Sequence, residues 1–489
     1  MKKAVVIGAG IGGLATAIRL SCKGYKVHVY EANEYPGGKL SEFSINGFRF
    51  DAGPSLFTMP ELVDELFSIS GKNAGEYFNY VSLENICNYF FADGTRLTAC
   101  ADSEKFAEEA SVKTGVSKED LLRHIRKSKF IYDATAHLFL QRSLHKARSY
   151  FRWQTLSSLI KLPFLGIFSS MDEVNKRSMK NENMRQFFNR YATYNGSNPY
   201  KAPGVLNIIP HLEFSKGAFF PVNGMYAITK AVYELAKSLG VTFHFSSKIE
   251  KILVSQKKAI GIMLRGDKII SDIVVCNSDI VPVYKKLLAD QRPPAKILNQ
   301  ERSSSALIFY WGIKKQFPAL DLHNVFFSAD YENEFNSIFN SKTISDDPTV
   351  YINITSKYKP DDAPVGMENW FVMINVPPNQ GQNWEELKIK ARESILKKIS
   401  IHIKEDVESL IVAEEILDPP SIEYKTQSYQ GALYGTSSNS RMAAFFRHAN
   451  FSRKIKNLYF CGGSVHPGGG IPLALSSAKI VDSLISPAR

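Results

Sequence analysis

A glycine-rich turn near the start of the chain constrains the fold more than any other feature. Residues 4–7 form a short apolar run that predicts a buried strand, and residues 8–13 read Gly-Ala-Gly-Ile-Gly-Gly before a helical apolar pattern begins. In this setting Gly8 permits a tight turn, Gly10 lets backbone N–H groups approach a pyrophosphate, and Gly13 lets the helix pack on the strand. The N-terminus of that helix favours an anion. The pattern predicts an α/β fold with a Rossmann-type dinucleotide site.

An acidic residue at the end of the next predicted strand supports this interpretation. Residues 27–30 form the strand, and Glu31 lies close to the spacing expected for the acid that binds a ribose. A carboxylate there accepts hydrogen bonds from ribose hydroxyls and repels a 2′-phosphate, so NADP is disfavoured. The alternative, a glycine-rich turn in an ordinary α/β core, does not account for Glu31.

A second glycine-rich run lies near the other end of the chain. Residues 462–470 read Gly-Gly-Ser-Val-His-Pro-Gly-Gly-Gly and follow the apolar residues 458–460. An extended flavin dinucleotide is longer than one loop can hold. We therefore expect the two runs to close around one FAD, and turns that face away from each other would exclude this arrangement.

Size and charge limit the classes of partner. A chain of 489 residues is too long for one compact core, and its net charge of +12 favours an anionic partner. Without zinc-ligand spacing, an arginine-rich arm or an RNA-binding signature, nucleic acid is not expected, which leaves an anionic membrane surface. The five scattered cysteines predict reduced thiols on the cytoplasmic side. No apolar run is long enough to predict a membrane-spanning helix.

The chain leaves the dinucleotide-binding pattern twice and returns to it twice. After residue 54 the pattern is mostly helical to about residue 200, strand and helix alternate again from residue 221, and a second excursion runs from 281 to about 450. This predicts an FAD-binding domain made of residues 1–70, 218–280 and 453–489. Residues 71–217 and 281–452 are expected to form a mixed α+β substrate domain interleaved with it.

Several motifs together resemble one family. They are residues 8–13, Glu31 with the Pro-Gly-Gly-Lys turn 36–39, and residues 48–55, 190–196, 363–366, 431–435 and 458–472. In this combination and order the chain resembles the bacterial-type phytoene desaturases. That family lies within a wider flavoprotein group that includes amine oxidases and Rab GDP-dissociation inhibitors. The resemblance implies the amine oxidase/GDI-like architecture, FAD as cofactor and desaturation of a carotenoid.

The resemblance also implies which residues bind the cofactor. The first run meets the pyrophosphate, Glu31 the adenosine ribose, the backbone of Ile249 the adenine, and the second run the ribityl chain and flavin ring. Gly463 stands where many relatives have aspartate, which favours backbone contact there. No metal site is expected. The full set of predicted cofactor-binding residues is Gly8, Gly10, Gly12, Gly13, Glu31, Gly38, Lys39, Ile249, Gly463, Gly470, Ile471 and Pro472.

A carotenoid has no charged group to bind, so affinity must come from apolar burial, at about 25 cal/mol per Å². Catalysis then depends on placing an allylic C–H against the flavin for hydride transfer, with loss of a proton from the neighbouring carbon. His466, within the second run, is the candidate to accept that proton or to stabilise charge; a structural histidine before Pro467 is the alternative. A tunnel lining is a collective hypothesis for nine aromatic residues: Phe187, Phe188, Phe219, Phe220, Phe309, Tyr310, Trp311, Phe326 and Phe327.

One segment has the composition of a membrane-interface helix. Residues 148–170 are apolar and aromatic with flanking basic residues, although Pro163 would kink a helix there and a buried helix of the insertion fits equally. The expected location is therefore peripheral, on the cytoplasmic side of a membrane.

Alternatives for the function remain open on the sequence. Within the desaturases, phytoene-type desaturation and 3,4-desaturation of a 1-hydroxylated carotenoid both fit, and the polar stretch 322–328 favours the second. A flavin amine oxidase would need a pocket for a cationic amine, and a prenyl-lipid carrier of the GDI type would have lost the flavin. The sequence leaves the oligomeric state and the electron acceptor open.

Overall fold

The computed structural model describes residues 1–139, 142–146, 165–440, 443 and 447–488, with side chains omitted for 137–139. Two sheets organise the described chain. One is a parallel sheet of five strands, and the other is a larger, mostly antiparallel sheet of seven.

The parallel sheet draws its strands from three distant parts of the chain. From one edge to the other its strands are Leu458–Phe460, Ile273–Cys276, Lys3–Ile7, Lys26–Tyr30 and Thr242–His244, all paired in parallel. Its buried side chains pack with those of the helices Ile11–Cys22, Tyr226–Ser238 and Ile471–Leu484. A parallel sheet covered by helices confirms the predicted α/β class. It also makes strands from opposite ends of the chain near neighbours.

The seven-stranded sheet has two different faces. Its strands, in spatial order, are Ile411–Leu417, Ser305–Ile313, Glu368–Val376, Val350–Asn353, His323–Phe326, Asn85–Phe90 and Arg96–Cys100. The helix Trp384–Ile403 packs on one face. The other face, which we call the inner face, is apolar and includes Cys87, Tyr89, Val325, Ile308, Tyr310 and Phe371.

Shorter elements complete the described chain. A three-stranded antiparallel sheet comprises Lys251–Ser255, Lys258–Leu264 and Asp267–Ile270. The hairpin Glu42–Ile45 and Phe48–Asp51 lies on the inner face, and Tyr80–Ser82 pairs with Phe219–Pro221. The longer remaining helices are Glu61–Ile69, Ser103–Thr114, Lys118–Phe139, Met171–Ser178, Glu182–Asn189, Ile209–Phe214, Tyr331–Asn336 and Pro419–Thr426.

Two expectations need correction. The stretch from residue 55 to about residue 200 is not helical throughout, because Asn85–Phe90 and Arg96–Cys100 are strands of the large sheet. Buried apolar residues lie side by side in Asn85–Phe90, Ile86 beside Cys87 and Tyr89 beside Phe90, so no strand-like alternation reveals the strand. Nor do the nine aromatic residues line one tunnel. Phe309, Trp311 and Phe326 pack under the helix Trp384–Ile403, whereas Phe187, Phe188, Phe220 and Phe327 lie in the cluster on the inner face.

Most of the predicted membrane-interface segment, residues 147–164, lies outside the described residues. Among the helices that the structure does describe, none combines the length and the apolar character needed to cross a bilayer. Within the same residues no group of His, Cys, Asp and Glu has an arrangement suited to a metal ion. The five cysteines are free thiols, four of them buried.

Candidate functional site

The two glycine runs meet, and Asn277 lies between them. Asn277 directly follows the strand Ile273–Cys276, which separates the first strand of the chain from the last. A Cβ atom added to Gly12 would lie 2.8 Å from Asn277 Oδ1 and 3.2 Å from the backbone N and Cα of Gly462. A Cβ on Gly462 would lie 2.6 Å from the same oxygen. The two glycine runs, about 450 positions apart in the sequence, are therefore in direct contact in the fold.

The glycines of the first run are required by sterics. Gly8 has φ +95°, a region open to glycine, and a Cβ on Gly13 would lie 2.1 Å from the carbonyl oxygen of Gly8. A Cβ on Gly10 would lie 2.7 Å from Asn277 Nδ2. These positions therefore have the two roles predicted for them, a tight turn and close packing.

Two helices begin at the glycine runs without a side-chain cap. Gly10 precedes the helix Ile11–Cys22 and Gly470 precedes Ile471–Leu484, and neither helix has an acidic residue in its first turn. Their first N–H groups are therefore available to an anion or a polar ligand. Among the described residues no atom lies within 4 Å of a Cβ added to Gly470, at φ +106°, so these residues leave open space beside Ile471 and Pro472. Both features fit an extended dinucleotide.

Glu31 is buried and hydrogen-bonded to the first run. Its Oε2 accepts from the backbone N–H of Ala9 at 2.7 Å, and its Oε1 accepts from that of Asn33 at 2.9 Å. Each carboxylate oxygen has a second lone pair, so both can still accept from ribose hydroxyls. The predicted acid and the predicted phosphate loop are therefore parts of one hydrogen-bonded unit.

Ile249 lies in the segment that packs beside Glu31. The N–H of Ser247 donates to the carbonyl of Glu31 at 2.7 Å, and Ile249 follows two residues later, buried. Within the described part of the chain, the N–H and C=O of Ile249 form no hydrogen bond. Both groups are available for the backbone contact with adenine that was predicted.

The Pro-Gly-Gly-Lys turn joins the first run to residues 431–435. Gly37 pairs with Gly10, and its N–H donates to the carbonyl of Ala9 at 2.8 Å; a Cβ on Gly38 would lie 3.5 Å from Gly10 Cα. Lys39 Nζ donates to the carbonyl of Leu433 at 2.7 Å. Burial lowers the pKa of Lys39 to about 8, and the charge of Asp279 opposes this shift.

Tyr434 is a contact of the second run that the sequence did not single out. A Cβ on Gly469 would lie 2.8 Å from Tyr434 Cα, and one on Gly196, which has φ +56°, would lie 2.8 Å from Tyr434 Cδ2. The adjacent Gly435 approaches Ser464 and the carbonyl oxygen of Gly463 in the same way. The two glycines of the motif 431–435 could have predicted this contact, because each one allows another backbone segment to approach closely.

His466 is buried with one ring nitrogen bonded and the other unpaired. Nε2 lies 2.8 Å from the carbonyl oxygen of Arg142, which can only accept, so Nε2 carries the proton. Nδ1 then has a free lone pair, and among the described residues it has no partner. Burial is the main cause that lowers the pKa of His466 to about 4; the hydrogen bond to the Arg142 carbonyl opposes this shift, and the charges of His145 and Arg447 contribute to it. The ring is thus neutral at physiological pH, with an acceptor atom beside the second run.

Three other polar residues have structural partners. Asp51 caps the helix Tyr226–Ser238 and pairs with Arg49 at 2.8 Å. Arg190 lies over the ring of Tyr191, 4.9 Å from its centroid, and Glu213 accepts from the hydroxyl of Tyr191 at 2.6 Å. These contacts give all three residues structural roles.

Known proteins with similar sequences include carotenoid-modifying enzymes. A 1-hydroxycarotenoid 3,4-desaturase of Flavobacterium sp. (strain P99-3) is 52% identical over 485 residues, covering 99% of each chain. A 4,4′-diapolycopene oxygenase of Methylomonas sp. is 32% identical, covering 98% of this chain and 97% of its own. A 4,4′-diaponeurosporene oxygenase of Staphylococcus aureus (strain MW2) is 30% identical, covering 99% of this chain and 98% of its own.

Solved structures with the same fold include amine oxidases. Cyclohexylamine oxidase from Brevibacterium oxydans IH-35A matches with a TM-score of 0.64 and 12% identity, covering 99% of this chain and 98% of its own. Wild-type putrescine oxidase bound to putrescine matches with a TM-score of 0.63 and 13% identity, covering the same shares. Residues 11–481 match the family described as flavin containing amine oxidoreductase. The chain therefore belongs to the flavin-containing amine oxidoreductase family, and it is an oxidoreductase whose cofactor is FAD.

Proposed function

We propose that the protein is an FAD-dependent carotenoid desaturase that introduces the 3,4 double bond into a 1-hydroxylated acyclic carotenoid. The observation that carries the proposal is the 52% identity to a 1-hydroxycarotenoid 3,4-desaturase, because it extends over 99% of both chains. The apolar inner face of the large sheet supports it, since a polyene is bound by burial of apolar surface. Phytoene-type desaturation is the second candidate.

The proposed cofactor contacts follow from the site geometry. We assign the pyrophosphate to the uncapped helix start at Gly10, with Gly12 and Gly13 allowing close approach. We assign the ribose to Glu31, and the flavin portion to the open space beside Gly470. When bound, FAD supplies a two-electron acceptor for the hydride that leaves one carbon as the neighbouring carbon loses a proton.

His466 is the proposed acceptor of that proton, at Nδ1. Its hydrogen bond to the Arg142 carbonyl fixes the ring tautomer and leaves Nδ1 unprotonated. Nδ1 is buried, so its lone pair is not exposed to bulk solvent. The rest of the protein positions the substrate against the flavin, because the substrate has no charged group for the protein to bind.

The two-domain plan is part of the proposal. All strands of the parallel sheet come from residues 1–70, 218–280 and 453–489, and all strands of the seven-stranded sheet come from 71–217 and 281–452. The hairpin at residues 42–51 belongs to the first set by sequence but packs on the inner face of the second sheet. We propose that this hairpin connects the flavin site with the substrate face.

The substrate proposal predicts a selective conversion. We expect the purified holoenzyme, given a 1-hydroxylated acyclic carotenoid and an electron acceptor, to form a product two hydrogens lighter with one more conjugated double bond. Mass spectrometry and the shift of the absorption spectrum identify that product. Conversion of phytoene alone would replace this assignment with the phytoene-type one, and oxidation of amines with peroxide release would replace both.

We further propose that the protein binds an anionic membrane surface, from which the carotenoid enters. Phe168, 68% exposed, and Phe130 line an open cavity of about 470 Å³ together with the basic residues Lys127 and Arg177. Exposed aromatic rings beside cations suit a lipid interface. The net charge of +12 also favours binding to an anionic surface. The location proposed is therefore peripheral, on the cytoplasmic side.

Substitution at this cavity is expected to weaken membrane binding. Phe168→Ser should lower the affinity for anionic liposomes about tenfold, and Lys127→Gln about fivefold, the equivalent of about 1 kcal/mol for one basic residue. Flotation in a density gradient measures both. Tyr424→Ser, at an aromatic residue that is 83% exposed elsewhere, is the control and should float like the wild type. Wild-type protein that stays at the bottom with every lipid would exclude membrane binding.

A further inference from the structure

His323 lies at the end of a strand of the large sheet, on its inner face, and has an unpaired ring nitrogen. It is 3% exposed, and within the described residues its Nε2 has no hydrogen-bond partner. Val325, two residues along the same strand, belongs to the apolar cluster of that face. A polar atom without a partner at the edge of an apolar surface is costly unless a ligand satisfies it.

The surroundings of His323 determine which nitrogen carries the proton. Asn353 lies directly opposite in the sheet, and its Nδ2 donates to the carbonyl of Leu322 at 3.0 Å, which fixes the orientation of the amide. The same Nδ2 lies 3.2 Å from His323 Nδ1. Because an amide nitrogen can only donate, Nδ1 is the acceptor and Nε2 bears the hydrogen. The unpaired atom is therefore a buried donor.

Two hydroxyl groups hold the ring in this state. Tyr351 Oη lies 2.7 Å from His323 Nδ1, and Ser55 Oγ lies 2.7 Å from Tyr351 Oη. With Nδ1 accepting, Tyr351 donates to the ring and Ser55 donates to Tyr351. We call His323, Tyr351, Asn353 and Ser55 the His323 network. His323 Nε2 has no partner among the described residues, so it is the position left for a ligand.

The network lies close in the chain to the proposed FAD site. Ser55 follows Gly53 by two residues, and a Cβ on Gly53 would lie 1.8 Å from the carbonyl oxygen of Lys39. Lys39 belongs to the turn that pairs with the first glycine run. In a 1-hydroxylated carotenoid, carbon 1 is two bonds from carbon 3, so the hydroxyl group must bind close to the carbons that are oxidised. The network offers a hydrogen-bond donor for that hydroxyl group, and it is linked to a turn of the cofactor site.

We propose that the Nε2–H of His323 donates a hydrogen bond to the hydroxyl oxygen at the hydroxylated end of the polyene substrate. This inference rests on the proposed function and adds the residue that distinguishes hydroxylated from non-hydroxylated carotenoids. On this proposal, the apolar inner face binds either carotenoid through burial of apolar surface. Only the hydroxylated one satisfies the buried donor, and a site with such a donor discriminates strongly against an analogue without the hydroxyl.

The test is an equilibrium titration of oxidised holoenzyme, followed through the flavin absorption, with a 1-hydroxylated carotenoid and its non-hydroxylated counterpart. We expect the wild type to prefer the hydroxylated compound at least about 100-fold, and His323→Phe to reduce that preference below about tenfold. Affinity for the non-hydroxylated compound should not fall in this variant. His323→Gln, which retains an N–H donor, should recover part of the preference.

His402→Phe is the matched control, because that ring packs against Phe90 and Phe326 on the opposite face of the same sheet. Its preference should equal that of the wild type. An unchanged preference in folded, FAD-containing His323→Phe, or a wild type without preference, overturns the proposal. A wild type that prefers the hydroxylated carotenoid but makes no 3,4-desaturated product overturns the proposed function and leaves the His323 assignment intact.

Discussion

Replacing Gly12 with alanine will yield a folded protein that binds FAD about 100-fold more weakly than the wild type. The added Cβ lies 2.8 Å from Asn277 Oδ1 and 3.2 Å from the backbone of Gly462, so Asn277 or the second glycine run must move. Overpacking of this kind costs about 1–3 kcal/mol, and the displaced atoms belong to both proposed halves of the cofactor site. Flavin content after purification and titration of the apoprotein with FAD measure the effect.

Gly75→Ala is the control for this substitution. Among the described residues, a Cβ at Gly75 would meet side-chain oxygens at 3.6 and 3.8 Å, which are ordinary contact distances. We expect this variant to retain FAD fully. If Gly12→Ala also retained FAD with wild-type affinity, the contact between the two runs would have no part in binding the cofactor.

Replacing His466 with glutamine is expected to lower turnover about 100-fold to 10,000-fold, the range typical of lost proton transfer. The glutamine amide can still donate to the Arg142 carbonyl, so FAD content should not change. Because burial holds the pKa of His466 near 4, the wild-type ring stays unprotonated above that pH. Turnover that depends on this group should therefore be constant between pH 5.5 and 8, and fall only as the pH decreases toward about 4.

His448→Gln is the matched control for His466. It is equally a buried histidine with a pKa lowered by burial to about 4, but both ring nitrogens have partners, Nδ1 the carbonyl of Ala449 and Nε2 the hydroxyl of Tyr284. It should retain most of the turnover. Equal rates for His466→Gln and wild type at saturating carotenoid would assign His466 to a structural role.

The sequence predicted the parts of the site that depend on local geometry. Gly8, Gly10 and Gly13 occupy positions where a side chain would collide or strain the backbone, and that requirement is visible in a strand–turn–helix pattern. Glu31 was found by its spacing, and the structure shows it hydrogen-bonded to Ala9. The strand Leu458–Phe460 coincides with the apolar residues that precede the second glycine run.

Contacts between distant segments were harder to predict. Asn277 and Tyr434 become neighbours of the glycine runs only after the parallel sheet is assembled and residues 431–435 fold against it. The strand Asn85–Phe90 was missed because it lacks strand-like alternation, and its pairing with His323–Phe326, more than 230 positions later in the chain, is not visible in the sequence. In the sequence, the polar stretch 322–328 favoured a hydroxylated substrate. Only the pairing of His323 with Asn353 in the structure determines which ring nitrogen of His323 is left as a donor.

We propose that glycine runs from opposite ends of the chain hold one FAD, and that this FAD oxidises a hydroxylated polyene buried beside it. The decisive experiment is the anaerobic addition of a 1-hydroxylated acyclic carotenoid to the purified holoenzyme. We predict that the oxidised flavin band bleaches in proportion to the formation of one new carbon–carbon double bond per FAD. A flavin that stays oxidised in the presence of bound carotenoid, or a protein that cannot be reconstituted with FAD, would contradict the account.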